Sequence, residues 1–381
     1  MTRTIDILDR LIAYPTISRQ PNADLIAYAQ DLLVSIGAHC SIVEHPDGTR
    51  RNLFATIGPL DRPGIMLSGH TDVVPVEGQS WSSDPFKLRS ENGRLYGRGT
   101  ADMKGFCAAM LSAAERAGGL KTPLHLAFSY DEEIGCIGVR SLIDMLKQAP
   151  VRPRFCIVGE PTSLAVATGH KGKTALRTVC RGREGHSALA PLALNALHLA
   201  SDFVGILRRE QTHLAEKGRR DGDYDVPYTT VHAGILKGGI QVNIVPNEAQ
   251  IDWEIRSLAI DDPAEIRERI EAATAALLSS IEDPDARIST EITNSYPGLD
   301  TPPSSEVVAF VKSLTGANGT IKVAFGTEGG LFDEQLGVPT VVCGPGSMAQ
   351  GHKPDEYVTR EQLNRCDTML DGLLERLRAG L

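Results

Sequence analysis

The 381-residue chain has few of the features that would mark it as an extracellular, membrane or nucleic-acid-binding protein. Its seven cysteines are odd in number, scattered, and never spaced as CxxC. That pattern excludes a regular disulfide framework and a cysteine-based zinc site. No apolar run approaches the roughly 20 residues that a membrane span requires. Residues 1–12 alternate charged and apolar side chains and lack the apolar core of a signal peptide, so a cytoplasmic location is expected. The net charge of −9, with no basic stripe, argues against nucleic acid as a partner. Aromatic residues make up only 5% of the chain, yet 41% hydrophobic and 23% charged residues describe an ordinary globular protein. There are no internal repeats and no low-complexity tract. The length favours two domains.

What is present is an alternation of buried strands and amphipathic helices. Ile5, Leu8, Leu11 and Ile12 share one helical face before Pro15, and Leu25, Ile26, Ala29, Leu32, Leu33 and Ile36 share another before Gly37. Apolar runs at 64–68, 124–128 and 155–158 then alternate with helical stretches, which predicts an α/β domain with a mostly parallel central sheet. From about Thr174 the order changes to strand, helix, strand, strand, helix, the order of a split βαβ unit. Its first helix is expected over 195–208, a polar loop or lid element over 210–225, and its second helix behind the Asp262-Pro263 cap. Residues 174–290 therefore read as an inserted α+β domain, with 1–173 and 291–381 forming the other domain. A last helix starts at Thr359, which with Gln362 can form a capping box.

Several ionisable residues follow one local grammar, in which an apolar strand runs into a small-residue loop that carries the charge. Ile65–Gly69 leads to His70 and Asp72, the run ending at Phe128 leads to Asp131-Glu132-Glu133, the run ending at Val158 leads to Glu160, and the run ending at Gly346 leads to His352. Ligands of open α/β sheets gather beyond the carboxyl ends of the strands, so these side chains can converge. Asp102, between the Gly97–Gly99 loop and a helix, is a fifth candidate. Two histidines and three carboxylates form an N/O donor set suited to zinc, with cobalt or manganese also admitted. One carboxylate can bridge two ions. No serine nucleophile elbow competes. Each residue also has an ordinary reading: a hydrogen-bonded histidine at a strand end, a solvated helix start at Glu132-Glu133, an N-cap at Asp102.

The motifs Gly69-His70-Thr71-Asp72-Val73-Val74-Pro75 and Gly97-Arg98-Gly99-Thr100-Ala101-Asp102-Met103-Lys104-Gly105 resemble those of the acetylornithine deacetylase and succinyl-diaminopimelate desuccinylase family of dinuclear zinc amidohydrolases. Asp131-Glu132-Glu133-Ile134-Gly135, Gly159-Glu160-Pro161-Thr162 and Gly185-His186-Ser187-Ala188 continue the resemblance in order, over nearly the whole chain. It implies a zinc-peptidase-like catalytic domain and a ferredoxin-like lid and dimerisation domain. It further implies that His70 and Glu160 hold one metal ion, Glu133 and His352 the other, and that Asp102 bridges them. Asp72 would fix the tautomer of His70, and Glu132 would be the general base. His186 would stabilise the oxyanion from across a homodimer interface. Asn243 and Arg256 would grip the substrate carboxylate. A cis peptide is expected between Asp102 and Met103.

The stretches around Gly326–Gly330 and Cys343–Tyr357 lean towards the deacetylase branch, which makes N-acetyl-L-ornithine the expected substrate. Glu328 is then either the partner of the substrate ammonium or a structural loop residue. N-succinyl-diaminopimelate, another N-acylamino acid or a dipeptide are the alternative substrates, and an inactive binding protein on the same fold is the alternative class.

Overall fold

A computed structural model describes residues 2–381, and the chain divides into two compact units. The first comprises residues up to Gly169, Leu299–Lys322 and Thr327–Leu381; the second comprises His170–Gly298 and Val323–Gly326.

The first unit is built on a nine-stranded mixed sheet. At its centre Leu124–Ser129, Ile65–His70, Phe155–Pro161 and Thr340–Gly344 lie side by side and parallel. All four are buried along their whole length, as parallel strands covered on both faces must be. Antiparallel pairings flank that centre. Arg51–Ile57 joins Leu124–Ser129 antiparallel, His39–Glu44 joins Arg51–Ile57 antiparallel, and Ala167–His170 meets Thr340–Gly344 antiparallel. The flanking strands arrive through short returns instead of helical crossovers, which is why the mostly parallel reading holds at the centre and not at the margins.

Successive residues of a strand face opposite sides, and Ser68 and Gly69 show what lies there. Beyond Gly69 stand Cys107 and Met110 of the fully buried helix Lys104–Ala114. That helix packs against the terminal helices Arg3–Ile12 and Arg360–Ala379. Beyond Ser68 stands Glu328, at the start of the helix Gly329–Leu336. Gly159 is required by close packing: a Cβ there would lie 1.8 Å from the ring of Phe106. Its absence lets the central helix press against the strand that delivers Glu160. At the last helix, Thr359 Oγ1 accepts from Gln362 N at 3.1 Å, but Gln362 Oε1 is buried without a partner, so only half of the capping box forms.

The second unit has a four-stranded antiparallel sheet ordered Thr230–Gly238, Glu248–Ser257, Gly172–Arg181, Arg287–Tyr296. The helices Ala196–Lys217 and Pro263–Ser279 contribute Phe203, Leu207, Ile266 and Ile270 to a core shared with Leu176, Ile251, Trp253 and Ile255. The first helix runs nine residues beyond the expected end at 208, replacing the expected polar loop through Lys217. Glu210 and Leu214 continue its inner face; Leu214 is buried and Glu210 accepts from Arg269 Nη2 at 2.6 Å. A charge held by a neighbouring helix is invisible to hydrophobic periodicity. The strand Arg287–Tyr296 pairs with Lys173 through Tyr296, which carries this unit beyond the expected 174–290.

Candidate metal centre

The carboxyl ends of the parallel strands hold the cluster. His70 is the last residue of its strand and is buried. Its Nε2 lies 3.1 Å from Asp102 Oδ1 and 3.6 Å from Glu160 Oε1. The other oxygen of Asp102, Oδ2, lies 3.2 Å from His352 Nε2, and that same nitrogen lies 2.9 Å from Glu133 Oε2. The Asp102 carboxylate thus stands between the two imidazoles, with one glutamate beyond each. Ligand atoms of His70, Asp102 and Glu133 fall within 4.8 Å of one another, as do those of His70, Glu132 and Glu160. The peptide between Asp102 and Met103 is cis.

Distance does not separate Glu132 from Glu133, but their partners do. Glu133 faces His352, whereas Glu132 Oε1 accepts from the thiol of Cys136 at 3.3 Å. Burial pushes both carboxyls up, Glu132 to about 8 and Glu133 to about 7; repulsion from Glu133 adds to the rise at Glu132, and repulsion from Asp102 to that at Glu133. Glu160 is also raised well above the carboxylate range, first by burial and then by Asp102. His352 is pushed up to about 10 by its hydrogen bonds to Asp102 and Glu133. Two imidazoles facing a dry group of carboxylates form a site with a strong preference for cations. Glu133 Oε1 is buried and makes no hydrogen bond, an acceptor with its lone pairs unspent. The donor set and that oxygen fit divalent metal ions.

Asp72 has a wider role than expected. His70 Nδ1 is closest to the backbone oxygen of Asp72, at 2.9 Å, and 3.5 Å from its carboxylate. The carboxylate accepts instead from Ser18 Oγ at 2.7 Å and from the backbone N–H groups of Glu132 and Glu133 at 3.0 and 3.3 Å. It fixes the turn that presents the adjacent glutamates as well as the histidine. Ser18 and Cys136 carry no pattern that a single sequence would flag, because each acts through one contact with a distant or locally folded carboxylate.

Glu328 lies inside the first unit. It is 1% exposed and accepts from Ser68 Oγ at 3.2 Å through one oxygen and from Ser129 Oγ through the other. Both serines lie near the ends of central strands, so the carboxylate ties those strands together. Burial pushes its carboxyl up to about 7.

The remaining candidates belong to the second unit. Exposed His186 lies on the short strand Gly185–His186, paired with Ile244–Val245, and its Nδ1 accepts from Ala188 N at 3.1 Å. Asn243 is also exposed, and its backbone oxygen accepts from Ser187 N at 3.0 Å, which places it beside His186. Arg256 lies apart from them on the strand Glu248–Ser257; its Nε donates to Glu254 Oε1 at 2.9 Å and its Nη1 to Tyr296 OH at 3.4 Å.

A His–carboxylate cluster at the carboxyl edge of a mixed α/β sheet is suited to metal ions, and with the family and relatives of this chain it makes the protein a metal-dependent amidohydrolase. Residues 66–376 match the sequence profile of peptidase family M20/M25/M40, and the chain belongs to that family. It is 35% identical to an acetylornithine deacetylase of Shigella sonnei (strain Ss046) over 364 residues, covering 93% of this chain and 92% of the relative. It is 33% identical to an acetylornithine deacetylase of Pasteurella multocida (strain Pm70) over 387 aligned positions, covering 99% and 98%. Among solved structures, an M20 family metallo-carboxypeptidase, Sso-CP2 from Sulfolobus solfataricus, superposes with a TM-score of 0.80 at 18% identity over 100% of both chains. Among the described residues no helix is long and apolar enough to cross a membrane.

Proposed function

We propose that the protein hydrolyses the amide bond of N-acetyl-L-ornithine, releasing acetate and L-ornithine, as a cytoplasmic step of arginine biosynthesis. The placement of the Asp102 carboxylate between His70 and His352, 3.1 and 3.2 Å from their Nε2 atoms, carries the chemistry. The two deacetylase relatives support the substrate.

His70 and Glu160 would hold one ion, Glu133 and His352 the second, and Asp102 would be shared. Zinc fits first, with cobalt or manganese as substitutes. Bound there, two such ions supply Lewis acidity to the scissile carbonyl and an acidified water. Glu132 takes the proton from the attacking water and delivers it to the departing amine. Its burial favours this exchange by raising the proton affinity of the carboxylate. Asp72 keeps Glu132 in place through its backbone N–H. The second unit acts as lid and homodimer contact. From it His186 of the neighbouring subunit donates to the developing oxyanion, while Asn243 and Arg256 bind the substrate carboxylate, for which a guanidinium fork is suited.

A deacylase panel with added zinc or cobalt tests this reading on N-acetylornithine, N-succinyl-diaminopimelate and N-acetylmethionine. The expected outcome is fastest turnover of N-acetylornithine. Preference for the succinyl compound would reassign the substrate. No hydrolysis by fully metal-loaded protein would leave a binding protein on this fold.

A further inference from the structure

The ligands proposed above differ in how they are held. His70 and Glu160 belong to fully buried strands and are fixed by the sheet. His352 lies in an irregular turn, its side chain is 48% exposed, and its φ of 61° is one that side chains other than glycine rarely adopt. An exposed imidazole on such a turn would sample many orientations unless something outside the cluster held its backbone.

The loop at Gln79 and Trp81 supplies that hold. Gln79 Nε2 donates to the backbone oxygen of His352 at 2.9 Å. Gln79 Oε1 accepts from Trp81 Nε1 at 3.1 Å and from Arg98 Nη2. Buried Arg98 extends the contact: Nη1 donates to Glu356 Oε2 at 2.7 Å and to Lys353 O at 3.3 Å, and the guanidinium stands 5.0 Å over the Trp81 ring. Glu356 Oε1 in turn accepts from the backbone N–H groups of Ala101 and Asp102, at 2.9 and 3.1 Å. A second clasp runs from Ser82, whose N and Oγ both donate to Asp355 Oδ1, at 3.0 and 2.8 Å. One amide therefore sits where the segment bearing His352 and the loop bearing Asp102 are joined. All of its partners lie in the first unit.

We propose that Gln79 is a positioning residue for the metal-binding half of the centre that contains His352, aiming its backbone so that the imidazole meets Glu133 and Asp102 before an ion arrives. This rests on the reading of His352 as a ligand. Orienting groups one layer behind a ligand typically account for about 10–100-fold in metal affinity. Gln79 bonds the His352 backbone directly and reaches Asp102 only through Arg98 and Glu356, so the effect should fall on the binding event to which His352 belongs. Gln79 is partly exposed, so its replacement leaves the apolar core intact.

The test is a calorimetric titration of the metal-free full-length protein with cobalt(II), followed in parallel by the cobalt absorption spectrum. His352→Ala identifies the step that belongs to its half of the centre. Gln79→Leu, which removes both functions of the amide, should weaken that same step about 10–100-fold and leave the other unchanged. Gln79→Glu keeps an acceptor towards Arg98 and Trp81 but sets an oxygen against the His352 carbonyl. It should weaken the same step, and it carries the test if the leucine variant folds poorly. Equal weakening of both steps, or no change in either, in a folded Gln79 variant would overturn the positioning role while leaving His352 a ligand. If His352→Ala itself left both steps intact, the ligand assignment would fall, and the proposal with it.

Discussion

The two units place their candidate residues in opposite settings. In the first, His70, Asp72, Asp102, Glu132 and Glu160 are buried and in contact with one another or with backbone groups that aim them. In the second, His186 and Asn243 are exposed on a short two-stranded ribbon, and Arg256 is half-buried against Glu254 and Tyr296. A ligand set must be rigid before the ion binds, and a packed sheet supplies that rigidity. Groups that meet substrate gain from accessibility. Under the proposed function metal affinity resides in the first unit and substrate contact in the second, a division that can be broken by separating metal content from turnover.

The largest effect is expected at Glu132. Glu132→Gln cannot carry a proton and should lower kcat by about 10²–10⁴-fold with both metals retained, as measured by elemental analysis and steady-state rates. Glu133→Gln should reduce metal occupancy instead, because Glu133 faces His352 while Glu132 does not. The reverse pattern would exchange the two roles.

Next comes His186, where the comparison predicts activity loss without metal loss. Removing an oxyanion donor typically lowers turnover by roughly 10²–10³-fold. His186→Ala should fall by that much and keep two ions per chain. If the residue works across a dimer, mixing His186→Ala with Glu132→Gln subunits should restore activity, since one site of the heterodimer would contain a good base and a good donor. Failure to complement, once subunit exchange has been demonstrated by mass spectrometry, would confine His186 to its own chain.

How much of this was legible in the sequence follows from the range of the interactions. His70, Glu133, Glu160 and His352 could be nominated because each follows a strand-to-loop pattern contained in a few residues, and Asp102 because it stands between a glycine loop and a helix. The parallel centre of the sheet was legible in continuous apolar runs, while its antiparallel margins were not, because pairing direction leaves no mark on a short strand. Glu328 shows the limit most clearly. A glutamate in a glycine-rich loop reads equally as a substrate contact or a structural residue, and only the fold brings Ser68 and Ser129, 260 and 199 residues away, to its two oxygens. Gln79 and Cys136 were overlooked for the same reason: an amide and a thiol acquire their roles from partners that only the fold supplies.

The smallest expected effect probes the second unit alone. Asp262 caps the helix Pro263–Ser279: its Oδ1 accepts from Ala264 N at 2.8 Å, and Pro263 begins the helix where no N–H is needed. Asp262→Ala removes that acceptor and one negative charge from the positive end of the helix dipole, a change that costs about 1 kcal/mol. Hydrogen exchange should report it as faster exchange of amides within 263–279, with Ile266 and Ile270 still holding the helix on its sheet. Metal content and the two cobalt-binding steps should not move, because the cap touches none of the groups that hold His70, Asp102 or His352. Loss of metal together with helix protection would mean that the centre draws rigidity from both units, and the division of labour argued above would have to be abandoned.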